Sequence, residues 1–169
     1  MTAGEPGCHA CRMNGVAELP AREAVYRSAS WRVAHAFDTD LPGWLVVLPM
    51  RHVASMGELT IEEAAELGVL LRALSSALTQ TVGAAKAYVM FFAEAEGFAH
   101  LHVHVVPRMP DQPADERGPR IFARLGRPEG DRMSPAQMDT VAGAIRTMLS
   151  GPTSDGVELP GLARPAADF

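Results

Sequence analysis

The segment His100-Leu101-His102-Val103-His104-Val105-Val106, running on into Pro107-Arg108, alternates histidine with aliphatic residues at a period of two. On a β-strand that period places all three imidazoles on one face and Leu101, Val103 and Val105 on the other. The aliphatic face suits a core, which leaves the histidine face for chemistry. Three readings compete for that face. The histidines can stand on a solvated surface with no role, although histidine is not a favoured surface residue of strands. They can all bind one metal ion. Or they can act as nucleophile, acid/base or phosphate donor, as an imidazole does near neutral pH.

Working outward, Ala24 to Arg27 and Trp31 to Phe37 read as a strand pair with a turn near 28–30, the second run alternating clearly. Asp38 to Gly43 is a turn-rich loop, and Trp44 to Pro49 is a continuous apolar strand. Thr60-Ile61-Glu62-Glu63 is a capping box opening a long helix, with Ala64, Leu67, Leu71, Leu74 and Leu78 at helical spacing and Gly83 as its stop. Ala87 to Phe92 is a further strand. The short link through Glu94 and Gly97 pairs it antiparallel with the histidine strand. The stretch from Arg108 to Met133 is long, charged and rich in Pro and Gly, with Ile121, Phe122 and Leu125 as candidate anchors. Ser134 to Gln137 is a second capping box, and Met138, Val141, Ala142, Ile145 and Leu149 follow on one helical face up to Gly151-Pro152. The order strands, helix, strands, helix predicts an α+β fold with an antiparallel sheet.

At 169 residues the chain is the size of one domain with a real core. We expect a single domain over 1–150, in which 1–20 form an irregular arm, and a loose tail over 151–169. The net charge of −5 argues against general nucleic-acid binding, which wants a basic face. No run of about 18 apolar residues is present, and the N-terminus has neither the basic nor the apolar region of a secretory signal. We therefore expect a cytoplasmic protein that engages neither nucleic acid nor membrane. The two cysteines fall in one pair, Cys8-His9-Ala10-Cys11. That spacing suits a structural zinc knuckle, which needs two more ligands from elsewhere. Redox chemistry is the rival reading, but it wants the pair at a strand-to-helix junction, a pattern this arm lacks.

The His-φ-His-φ-His-φ-φ pattern resembles the signature of the histidine triad (HIT) superfamily. The resemblance extends to Pro42-Gly43-Trp44-Leu45-Val46-Val47-Leu48-Pro49-Met50-Arg51-His52-Val53, which is similar to the family's strand and "P-x-R-H" element, and covers roughly Cys8 to Arg108. It implies a five-stranded antiparallel sheet with one long helix and a C-terminal helix, pairing into a homodimer. By resemblance to zinc-containing branches and to the related galactose-1-phosphate uridylyltransferases, the metal ligands are Cys8, Cys11, His52 and His100, holding a structural zinc. His102 would then attack the α-phosphorus of a nucleotide, most readily an adenosine one, forming a covalent nucleotidyl-imidazole. His104 would donate to the phosphoryl or bridging oxygen. Such activity is that of nucleotide hydrolases and transferases such as the diadenosine polyphosphate hydrolases. The other class kept open is a zinc-stabilised nucleotide- or partner-binding protein with weak or lost catalysis.

The chain also departs from the family pattern. Glu96 and Gly97 stand where familiar members carry Gln and then Ser or Thr, so Glu96 is a candidate acid and Gly97 a substrate contact. Trp44 stands where several members carry His. His9 and His35 have no family counterpart and are expected to be structural or solvated.

Overall fold

The computed structural model describes residue 5 and residues 7–94, 96–151 and 159–160. Five strands form one antiparallel sheet: β1 (Tyr26–Arg27), β2 (Trp31–His35), β3 (Leu45–Pro49), β4 (Lys86–Phe92) and β5 (His102–Arg108). Their spatial order is β1-β2-β3-β5-β4. Three α-helices accompany them: α1 (His9–Asn14), α2 (Ile61–Val82) and α3 (Pro135–Ser150). The α+β fold with an antiparallel sheet is as the sequence predicts, and its five strands are as the resemblance implies.

Both long helices lie on one face of the sheet. Each starts at a reciprocal capping box, Thr60 with Glu63 and Ser134 with Gln137, which satisfies two otherwise unpaired backbone donors per helix. From α2, Leu67, Leu70, Leu74, Ala77 and Leu78 are buried against Val33, Leu45, Val47, Val103 and Val105. From α3, Ala142, Ile145 and Leu149 join the same core. Each fully buried large aliphatic side chain contributes about 1.5–3 kcal/mol, so this face carries most of the fold's stability. The buried stripe of α2 differs from the expected one. Ala64 is exposed and Leu71 only half-buried, while Leu70 and Ala77 take their places. A stripe drawn at strict i+3 and i+4 steps drifts around a helix of this length, and the packing partner selects among neighbouring positions.

The opposite face carries the histidines. Its two ends are covered by irregular structure. At one end α1 packs Cys8 and Ala10 onto Ala34 and Leu48. At the other, the stretch after β5 folds back through short 3-10 turns, the longest at Gly118–Arg124, and seats Ile121 beside Leu41, Trp44 and Val106. The expected anchors Ile121, Phe122 and Leu125 all pack there.

Three boundaries need correction. The arm is not irregular throughout, because Cys8 to Asn14 turn into a short helix whose N-cap is the Cys8 sulfur, accepting from the backbone N–H of Cys11. Six helical residues are too few to show a period. The histidine strand starts at His102, so His100 precedes it, tied in by the N–H of Leu101 donating to the carbonyl of Val53 at 2.7 Å. Most of the expected loose tail lies outside the described residues. Of the two described there, Leu159 is buried in the main core and the Pro160 carbonyl accepts from the Tyr26 hydroxyl, so the chain is docked at that point.

The loop between β2 and β3 sets the position of Trp44. His35 is buried and uses both ring nitrogens, donating from Nδ1 to the Ala36 carbonyl and accepting at Nε2 from the N–H of Gly43 at 3.0 Å. Gly43 has φ +83, and a Cβ there would lie 2.8 Å from Leu78 Cδ2. Gly43→Ala should therefore destabilise the protein by about 2 kcal/mol or more, combining left-handed strain with overpacking of the helix interface. Chemical denaturation checks this, and an unchanged midpoint would contradict it.

Candidate active site and metal centre

Cys8, Cys11, His52 and His100 converge although the last two lie far along the chain. Their ligand atoms all fall within 4.8 Å of one another. The Cys8 sulfur is 3.4 Å from His100 Nδ1, and the Cys11 sulfur is 3.4 Å from His52 Nδ1 and 3.5 Å from His100 Nδ1. A tetrahedral zinc with ordinary Zn–S and Zn–N bonds sets sulfur and nitrogen about 3.6 Å apart, so this donor set fits zinc. The protonation of His100 agrees. Its Nε2 lies 3.0 Å from the Pro49 carbonyl, which can only accept, so the proton sits on Nε2 and the Nδ1 lone pair points at the two sulfurs. Burial pushes the His100 imidazole down to about 4, keeping it neutral as a ligand must be. Burial also pushes the Cys11 thiol up.

The other two triad residues have their tautomers set by different partners. His102 Nδ1 is 2.8 Å from the carbonyl of His100 and must donate to it, which leaves the lone pair on Nε2. His104 is the reverse. The indole N–H of Trp44 lies 2.9 Å from His104 Nδ1, and an indole nitrogen only donates, so Nδ1 accepts and Nε2 carries the proton. His104 is 8% exposed, and burial pushes it down to about 4. The two rings are 5.1 Å apart between centroids. A lone-pair nitrogen and an N–H donor thus stand side by side on one strand, the pairing a displacement at phosphorus uses.

A family model for the HIT domain matches residues 18–111, more than half of the chain. The chain belongs to the histidine triad family. No curated protein is significantly similar to it in sequence. Among solved structures it is similar to a Zn-bound histidine triad family protein from Mycobacterium smegmatis, with a TM-score of 0.59 at 16% identity over 83% of this chain and 91% of that one. A hypothetical histidine triad nucleotide-binding protein from Sulfolobus tokodaii gives a TM-score of 0.62 at 18% identity, again covering 83% and 91%. A Hit-like protein involved in cell-cycle regulation from Bartonella henselae gives 0.58 at 20% identity over 78% and 88%. These likenesses concern the fold.

In this histidine triad protein a cavity of about 290 Å³ opens over the histidine face. His100, His102 and His104 line it on one side, and Ala34, Val46 and Leu48 form part of its floor. The metal knuckle helps build it, since His9 and Ala10 also line it. His9, with no family counterpart, accepts at Nδ1 from Arg12 and packs its ring 5.4 Å from that of Phe98. Glu96 and Gly97 do not line the cavity. Glu96 is exposed on a turn, and Gly97, at φ +75, gives its carbonyl to the N–H of His9. That bond ties Gly97 to the arm.

Several contributors escape sequence reasoning. Arg32, 1% exposed, lines the cavity and donates to Asn14 Oδ1 at 2.8 Å, to the Glu23 carbonyl at 2.8 Å and to the Glu23 carboxylate at 3.2 Å. Asn14 in turn donates to the Pro49 carbonyl that also receives the His100 proton. This buried network braces α1 against the sheet beside the metal ligands. An arginine in an alternating strand reads as a solvated residue, and only the folded arm supplies its partners.

Proposed function

We propose that this chain is a nucleotide hydrolase or nucleotidyl transferase acting at the α-phosphorus of a nucleoside phosphate through a covalent bond to His102. The observation that carries this reading is the pair of opposite tautomers. His102, anchored through Nδ1–H, offers Nε2 as the nucleophile, and His104, accepting from Trp44, offers Nε2–H to the oxygen on which charge builds. The carbonyl of His100 orients the nucleophile while its ring belongs to the metal cluster, so the structural site and the reacting residue share one residue. Zinc, held by Cys8, Cys11, His52 and His100, would supply a structural crosslink between the arm and the sheet. Adenosine as the base comes from the family resemblance, and competition among nucleoside monophosphates decides it.

Incubation with a nucleoside phosphoramidate, an adenylyl sulfate or a diadenosine polyphosphate, followed by mass spectrometry under conditions that spare P–N bonds, tests the reading. A nucleotidyl adduct on His102 is the expected result. Glu96 standing outside the cavity favours a second reading, in which the protein binds nucleotide without efficient turnover. Nucleotide binding with no adduct and no turnover would select it.

A homodimer is the assembly we expect. β4 is an edge strand of seven residues, and its Val89, Phe91 and Phe92 are 39%, 39% and 43% exposed. Long apolar edges invite pairing with another chain, and a second copy is the simplest cover. Light scattering should report twice the monomer mass at micromolar concentration. A monomer there would refute the assembly.

A further inference from the structure

We propose that Trp44 is a positioning residue that locks His104 into one tautomer, making it a hydrogen-bond donor that does not surrender its proton. The inference rests on the proposed attack by His102 and adds a residue and a chemical consequence to it. Extending the register Val46↔His104 sets Trp44 opposite Val106, on the same sheet face as His104 and diagonal to it. Both side chains are buried, Trp44 completely. Phe122, from the stretch after β5, stands edge-on to both, 5.3 Å from the Trp44 ring and 5.2 Å from the His104 ring, and Phe92 closes a further side of His104 at 5.7 Å. The imidazole is boxed on three sides by aromatic rings.

Within that box only one neutral tautomer accepts from the indole N–H. Flipping the imidazole would turn a carbon toward the indole N–H and leave a buried donor unpaired. A second proton on Nδ1 would set N–H against N–H. Giving up the Nε2 proton would leave an imidazolate among three aromatic rings, a buried charge that the single indole N–H does not compensate. His104 therefore donates and keeps its proton.

The reaction then balances in one way. His102 Nε2 forms a bond to the α-phosphorus as the bond to the leaving group breaks, and the electron pair departs with the leaving group. Water then attacks the phosphorus, the P–N bond breaks back to neutral His102, and the proton from water goes to solvent. A phosphate, sulfate or carboxylate can leave as its anion with only a hydrogen bond from His104. An amine must be protonated before its P–N bond breaks, and the locked His104 has no proton to give. Trp44 thus biases the site toward nucleotidyl acid anhydrides over phosphoramidates.

The test is nitrogen NMR of the ¹⁵N-labelled wild-type protein together with kinetics on adenylyl sulfate and an adenosine phosphoramidate. We expect His104 to show a bare Nδ1 and a protonated Nε2 at neutral pH. Trp44→Phe should give mixed tautomers and free Nδ1 to take a proton from solvent, so that the imidazolium can pass its Nε2 proton to a leaving amine and return to neutral imidazole. The sulfate-to-amine ratio of kcat/KM should then narrow about tenfold or more, within the range that loss of one preorganised group commonly costs. A wild-type His104 protonated on Nδ1 overturns the proposal. So does an unchanged ratio in a Trp44→Phe protein whose spectrum shows mixed tautomers. If Trp44→Phe fails to fold, the wild-type spectrum still decides. Failure to find the His102 adduct removes the attack by His102, whereas an adduct with the wrong His104 tautomer removes the role of Trp44 alone.

Discussion

Replacing His102 by alanine should abolish turnover, by a factor on the order of 10⁴ to 10⁶, while leaving the fold and the metal content unchanged. The size follows from losing the proposed nucleophile, since no neighbouring group can take over. His104 has its lone pair committed to Trp44, and His100 has its own directed at the cysteine sulfurs. The retained fold follows from position. His102 is only partly buried, and the hydrogen bond its side chain makes, to the carbonyl of His100, lies outside the apolar core formed by Val103 and Val105 with α2. His102→Ala should therefore unfold at nearly the wild-type temperature and hold about one zinc per chain. Full activity of this variant on any substrate found would overturn the mechanism.

Removing the metal, or replacing Cys8 by serine, should have the largest effect on stability. A ligand that binds only the folded state stabilises it by about 4 kcal/mol when present at about 1,000 times its Kd. Cys8 is also the N-cap of α1, so its loss frees both a metal ligand and a helix start. The damage should be local first. The main core lies on the opposite sheet face and contains none of the four ligands. The arm, by contrast, is held by the metal cluster and by the Asn14–Arg32 network. We expect a lower Tm on chelation, and hydrogen exchange that becomes fast over α1 well before the strands. Since His9 and Ala10 line the cavity, nucleotide affinity should fall with the metal as well. A metal-free protein with unchanged Tm and a protected α1 would contradict this.

Sequence alone determined those features in which a local pattern has a single structural solution. The period of two in His100 to Val106 set which residues enter the core and which face the cavity. The capping boxes at Thr60 and Ser134 set where the two long helices begin. The Cys8 and Cys11 spacing pointed to a metal knuckle, and the resemblance named the two histidines that the fold brings to it. These signals are legible because each depends on neighbours a few residues apart.

Tertiary structure alone decided what each histidine can do. An imidazole has two neutral tautomers, and nothing adjacent in sequence chooses between them. Pro49 chooses for His100 across 51 residues, and Trp44 chooses for His104 across 60. Trp44 reads as a core aromatic that replaces a family histidine, and its donor role exists only because β3 and β5 pair in one register. Phe122 arrives from a stretch with no period at all, and Arg32 depends on an arm whose single helix is too short to announce itself. Glu96 had the composition of a catalytic acid, but the turn that carries it, tied to His9 through the Gly97 carbonyl, leaves it in solvent. Local pattern fixes which face a side chain takes, whereas the proton it carries is fixed by whichever donor or acceptor the fold sets against it.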